Sequence, residues 1–175
     1  MNGCNTSIAD IMKECKKRFA PGILQKLYIA GSQEITLIPL PDADTCIVSQ
    51  DITFRPADAA ATPPVEAGSW AEWAISRADQ SFETEQDDNG TYVTTASFYI
   101  MGQTPEKGFI LKNIGEDANV LIVPDKEGFL RIVGDLNNPA DVKVKEQYTP
   151  KNGYILTITW ESGAPPLYYT GAITT

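Results

Sequence analysis

ANVLIVPDKEGFLRIVGDLNNPADVKVKEQYTPKNGYILTITWESGAPPLYY, residues 118–169, is the stretch whose reading decides the fold class. Ala118–Val123 and Phe129–Val133 are short runs rich in Val, Ile and Leu, with Pro124-Asp125-Lys126-Glu127-Gly128 as the turn between them. Asp135–Pro139 is a second turn. Val142, Val144, Glu146 and Tyr148 alternate with Lys143, Lys145 and Gln147; Tyr154, Leu156, Ile158 and Trp160 alternate with Ile155, Thr157 and Thr159. A period of two places alternate side chains on opposite faces, which predicts strands with one buried face. Lys151-Asn152-Gly153 is the turn that joins these two, and Leu167-Tyr168-Tyr169 reads as a last short strand.

Upstream, Thr104-Pro105-Glu106-Lys107 has the form of a helix start, with Thr104 as N-cap and Pro105 at the first helical position. Phe109, Ile110 and Ile114 give that helix a short apolar face, and Gly115 ends it. Before it, Trp70–Glu85 and Thr91–Met101 read as the arms of one long hairpin closed at Asp87-Asp88-Asn89-Gly90. Residues 56–69 are rich in Ala and Pro, with Pro63-Pro64 near the middle and no periodicity. They read as a long loop or an arm that orders against a partner. Cys46–Phe54 is a strand candidate, and Leu24–Ala30 with Glu34–Ile38 reads as a hairpin across Gly31-Ser32. Ser7–Phe19 predicts a helix: Ile8, Ile11, Met12, Cys15 and Phe19 form one apolar stripe, Ser7 serves as N-cap, and Pro21-Gly22 stops it. Eight to ten short strands with regular turns predict a mainly β chain. The form expected is an antiparallel β-sandwich or half-open barrel with one flanking helix and an N-terminal helix. The expected division is an N-terminal helical segment at 1–21 and a single β domain at 22–175.

Composition narrows the function. A net charge of -9 argues against gripping DNA or RNA, which needs basic patches that displace counterions, and against docking on an anionic membrane. No run approaches the length needed to span a bilayer, and Met1–Phe19 lacks a signal peptide's apolar core and cleavage site, so membrane partnership and export are not expected. Cys4, Cys15 and Cys46 have no CxxC spacing and read as free thiols. The chain has no histidine, which removes the commonest general base, the commonest metal ligand and the usual partner of a nucleophilic Ser or Cys. Glu116-Asp117, Asp125-Lys126-Glu127 and Asp87-Asp88 read as turn carboxylates rather than a calcium loop. Gly102, Gly108 and Gly115 lack phosphate-loop spacing, and Ser162 lacks a nucleophile elbow. No enzyme, cofactor or metal is expected. Trp70, Trp73, Trp160, Tyr168 and Tyr169 read as core or interface aromatics, with a sugar platform as the alternative.

The strand–turn–strand pattern of 118–169, with GFLRIVG at 128–134, NGYILTIT at 152–159 and PPLYY at 165–169, together with GILQKLYIA at 22–30, resembles virion proteins of tailed phages of gut Bacteroides, crAss-like phages included. The placement of one helix between two groups of strands is similar to the tail-tube fold, which recurs in type VI secretion tube proteins. The resemblance covers about two thirds of the chain and rests on hydrophobic patterns and turns.

It implies a structural subunit of a phage tail tube or tail ring, made in the host bacterial cytoplasm and carried in the virion. Copies would close into a ring, commonly a hexamer, join neighbouring strands into a continuous inner barrel, and stack through a long loop, a hairpin and the termini. Partners would be the chain itself, other tail or connector proteins, and DNA passing through the channel without specific binding. Ile8, Ile11, Met12, Pro63, Pro64, Trp70, Trp73, Tyr92 and Phe98 are the candidate interface residues. A head–tail connector, stopper or decoration protein, or a non-catalytic carbohydrate-binding or adhesion sandwich, is the alternative.

Overall fold

The structure is a computed structural model that describes residues 24–42, 45–76, 79–114, 119–125 and 129–175. The helix expected at Ser7–Phe19, with Ile8, Ile11 and Met12, lies outside the described residues, as do Cys4, Cys15, Gly115 and the Glu116-Asp117 pair. Among the described residues twelve strands and one α-helix follow in order: β1 Leu24–Gly31, β2 Ile35–Leu37, β3 Ile47–Val48, β4 Thr53–Phe54, β5 Ala71–Ser76, β6 Ser81–Gln86, β7 Tyr92–Met101, α1 Pro105–Ile114, β8 Asn119–Pro124, β9 Leu130–Val133, β10 Asp141–Gln147, β11 Gly153–Ser162 and β12 Leu167–Tyr169.

Two sheets pack face to face. One has six strands in the order β3-β12-β9-β8-β1-β5, the other four in the order β10-β11-β7-β6; β2 and β4 make a separate pair. Every pairing is antiparallel except β12 with β3. Neither sheet closes on itself, so the chain is a sandwich and not a barrel. Leu27, Ile29, Trp73, Ile75, Leu121, Val123 and Val133 from the larger sheet meet Ala96, Phe98, Ile100, Val142, Tyr154, Leu156 and Ile158 from the smaller. Helix α1 adds Leu111 and Ile114 to this core. It starts as its sequence predicts: the Lys107 backbone N–H donates to the Thr104 hydroxyl at 3.3 Å, satisfying one N–H of the first turn.

A second core lies on the far face of the six-stranded sheet. Ala30, Val120, Ile122, Ile132 and Tyr169 are covered there by Ile35, Val48, Ile52 and Trp70. Strand β8 is therefore buried along its whole length, which is why NVLIVP reads as an unbroken apolar run rather than an alternation.

Two expectations are corrected. The run Trp70–Glu85 is not one arm of a single hairpin. Its first half, β5, pairs with β1 in the six-stranded sheet, and its second half, β6, pairs with β7 in the other. The hairpin is real only over 81–101, closed by a turn in which the Gly90 N–H donates to Asp87 O at 3.0 Å and Gly90 takes a φ of 84°. The run after Gly31-Ser32 does not fold back on β1: β2 pairs with β4, and β1 is flanked by β5 and β8. Residues 56–69 are not without structure. Asp58 and Val65 exchange backbone hydrogen bonds at 2.8 and 2.9 Å, closing a small lobe whose tip carries Pro63 and Pro64. Gly68 lies at its base, where a Cβ would come within 2.5 Å of Glu34 O, so only glycine lets the lobe seat against that backbone.

Candidate subunit interface

Strand pairing fixes which side chains leave the four-stranded sheet on its exposed face. Glu83 lies level with Thr95, Thr159 and Asp141 across the four strands, and Ser81 with Ser97, Thr157 and Lys143. Glu85, Val93 and Glu161 form the row on one side of these, and Tyr99, Ile155 and Lys145 the row on the other. The opposite side chains of the same strands, Phe98, Leu156 and Val142 among them, are spent in the core. The face is thus built mostly of hydroxyls and charges, with Val93 and Ile155 as its apolar members, acid toward the β6–β7 turn and lysine toward the other end.

One groove opens on it, about 220 Å³, lined by Asp79, Ser97, Tyr99, Gln147, Lys151 and Ile155 among others. Lys151 Nζ lies 2.5 Å from Asp79 Oδ1, and this hydrogen bond holds the Asp79 carboxyl below its usual pKa. Lys151 also lies 5.6 Å from the Tyr99 ring centroid, and burial pushes the Tyr99 hydroxyl up. Asp79 and Lys151 thus satisfy each other within the chain. Among the described residues no cluster of three Cys, Asp or Glu side chains is placed to hold a metal.

Among the described residues both edges of this sheet are open, apart from a single bridge between Ala140, just before β10, and Asn119. Strand β6 pairs only with β7, and β10 only with β11. An open edge presents unpaired N–H and C=O groups that invite another strand. On the exposed face, the β6 edge carries Glu83 and Glu85 and the β10 edge carries Lys143 and Lys145. All four side chains are exposed. Lys143 makes a surface pair with Asp141 at 3.2 Å; among the described residues no ion pair involves Glu83, Glu85 or Lys145.

The candidate residues separate cleanly in the structure. Trp70, Trp73 and Phe98 are 1%, 0% and 0% exposed, so they hold the chain's own core and are not surface contacts. Pro63 and Pro64 are exposed at the tip of the lobe, and Tyr92 is half-buried at the start of β7. The aromatics do not form an exposed row: Trp70, Trp73 and Tyr169 are core, and the half-buried Trp160 donates its indole N–H to Asn138 O at 2.9 Å. Tyr168 alone of the five reaches the surface appreciably, stacked under the Arg131 guanidinium 3.9 Å from its ring centroid. Sequence reading passed over the charged edge residues. Their signal was present as Glu-x-Glu at 83–85 and Lys-x-Lys at 143–145, same-face spacings whose meaning depends on knowing that β6 and β10 are the two edges. No protein-family model, curated protein or solved structure matches the chain.

Proposed function

We propose that this chain is a structural virion protein, a subunit of a phage tail tube or tail ring, and that it acts by assembly rather than by catalysis. The observation that carries the reading is the four-stranded antiparallel sheet whose two edges are unpaired among the described residues. Because the strand number is even and every pairing antiparallel, β6 and β10 run in opposite directions. Copies related by rotation bring β6 of one beside β10 of the next, and the antiparallel alternation continues across the junction. Such head-to-tail contacts close into a ring when the rotation closes, and closure removes the exposed edges.

The exposed face of the sheet then lines the channel. Its threonines and serines, with carboxylates and lysines of both signs, offer passing DNA no concentrated basic surface to grip. On this reading the lobe at 56–69, with the exposed Pro63 and Pro64 at its tip, is the candidate contact with a stacked ring. Partners are the chain itself and other tail or connector proteins; no cofactor takes part. A head–tail connector, stopper or decoration subunit is the second reading, and it differs by forming one ring without stacking.

Negative-stain microscopy of the purified protein over a range of concentration tests this. Rings or tubes of uniform width are expected. A monomer at every concentration overturns the proposal, and single rings that never stack favour the connector.

A further inference from the structure

We infer that the junction between copies has one specific register, in which Glu83 and Glu85 on β6 of one copy stand opposite Lys145 and Lys143 on β10 of the next. The inference rests on the ring reading above and adds to it the residues that join the ring.

Backbone geometry limits the choices. The Asp87 N–H donates to Thr91 O, so residues 87 and 91 form a hydrogen-bonded pair and the ladder alternates from there. Val93, Thr95 and Ser97 then turn their N–H and C=O groups to β6. Among the described residues, the groups left free on β6 are those of Phe82, Thr84 and Gln86. The same alternation carried across β7 and β11 leaves Val142, Val144 and Glu146 free on the outer edge of β10. Setting Glu83 opposite Lys145 aligns these free groups three against three: Phe82 with Glu146, Thr84 with Val144, Gln86 with Val142. All six residues of β6 find a partner within β10.

Charge selects among the registers that satisfy the backbone. In the level register Glu83 meets Asp141, a like-charge contact. Shifted by two residues, Glu83 meets Lys143 but Glu85 meets Asp141. Shifted by four, both glutamates meet lysines. A shift of six leaves Glu83 against Gln147. Directly opposed charges on one face of a sheet are favourable when unlike and unfavourable when alike, so the four-residue shift is the one that pairs both.

Closure supports the same shift on independent grounds. Glu83 and Asp141 are level within one copy, so pairing Glu83 with Lys145 displaces each copy by four residues per four strands. With about 3.4 Å per residue and about 4.8 Å between strands, the strands tilt roughly 35° from the ring axis. That is the tilt a closed barrel requires, and it is independent of how many copies close the ring. The hand is also right. The chirality of L-residues puts β6 to the right of an upward β7 seen from the exposed face, and the shift then leans the strands to the right seen from outside, the sense that strand twist imposes.

The test uses the full chain with Cys4, Cys15 and Cys46 changed to serine. Residues 83 and 145 oppose each other as a non-hydrogen-bonded pair, where the Cα atoms lie about 4.5 Å apart and a disulfide is readily accommodated. Glu83→Cys with Lys145→Cys is expected to give a ladder of disulfide-linked oligomers on mild oxidation. Glu83→Cys with Lys143→Cys, and Glu83→Cys with Asp141→Cys, are expected to give little. Separately, Glu83→Lys with Glu85→Lys is expected to weaken each junction about tenfold, and adding Lys143→Glu with Lys145→Glu to restore it, with circular dichroism confirming that each variant folds. Rings that cross-link through 143 or 141 instead, or not at all, overturn the register while the ring reading stands. Charge reversal without restoration also overturns it. If the unmodified protein forms no ring, the ring reading fails and the register fails with it.

Discussion

Gly153 and Gly134 show how single residues let this sandwich close. At Gly153, the first residue of β11, an added Cβ would lie 2.3 Å from Ile100 O and 2.6 Å from the Tyr99 hydroxyl oxygen. The β7–β11 pair begins there, between Gly153 and Met101, and cannot move apart without losing the ladder. Gly153→Ala is expected to destabilise the fold by about 2 kcal/mol, the ordinary cost of overpacking, read as a lower denaturation midpoint with unchanged slope. Gly134 combines a φ of 96° with an approach of 2.7 Å between its would-be Cβ and Asn119 O. Conformation and close contact both demand glycine at that position. Asn119 is itself buried and donates its side-chain amide to Ile114 O at 3.0 Å, tying the end of α1 to β8.

At the scale of elements, the structure separates parts that hold the fold from parts that project from it. Strands β1 and β8 bury residues on both faces and belong to both cores, so a polar substitution anywhere in their middles disrupts packing. The lobe at 56–69 is the opposite case. Its tip is exposed, and it is tied to the body by backbone hydrogen bonds from Arg55 N–H to Glu34 O at 2.8 Å and from Gly68 N–H to Arg55 O at 2.9 Å. Those bonds lie outside the segment 58–65. Replacing 58–65 with a short Gly-Ser turn is therefore expected to shift the thermal midpoint by only a few degrees, since connecting loops tolerate such change. On the proposed function, the same variant forms rings that no longer stack, which microscopy reads directly. A large loss of thermal stability runs against the structural part of this expectation.

For the whole molecule, charge is arranged more tellingly than its total suggests. The net charge of -9 favours solubility and mutual repulsion between copies, yet the exposed face of the four-stranded sheet places acid on one edge and lysine on the other. Association through those edges is expected to respond to salt in two opposed ways. Screening relieves the general repulsion between acidic copies and weakens the Glu–Lys contacts. In the Glu83→Lys, Glu85→Lys variant each junction sets lysine against lysine and the net negative charge is smaller, so no attraction across the edges is left for salt to weaken and screening only relieves repulsion. Sedimentation velocity at about 0.05 and 0.5 M salt is thus expected to show association of the variant helped by salt more than that of the unmodified chain. Equal responses in the two proteins count against an electrostatic role for these edges.

Much of this arrangement is legible in the sequence. Alternation at 142–148 and 154–160 specified two strands and the side on which Val142, Tyr154, Leu156 and Ile158 are buried, because the pleat forces side chains to alternate; Glu146 and Tyr148, read on the same side, are exposed. Thr104-Pro105 specified the start of α1, and Asn89-Gly90 the hairpin turn, because local backbone chemistry acts at short range. The partners of strands were not legible in the same way. Trp70–Glu85 is a continuous strand-like run, yet its halves, β5 and β6, serve different sheets, and nothing local in the sequence marks that division. The burial of both faces of β8 depends on Trp70, Ile52 and Tyr169 arriving from distant parts of the chain. The sequence by itself determined that this chain is mainly β, and where β8 to β11, the Asn89-Gly90 turn and α1 fall, since these follow from periodicity and local sterics. Only the tertiary structure decided that Trp70, Trp73 and Phe98 are core and that Glu83, Glu85, Lys143 and Lys145 mark two open edges of one sheet. Edges and cores are properties of long-range pairing, which the hydrophobic effect settles for the chain as a whole.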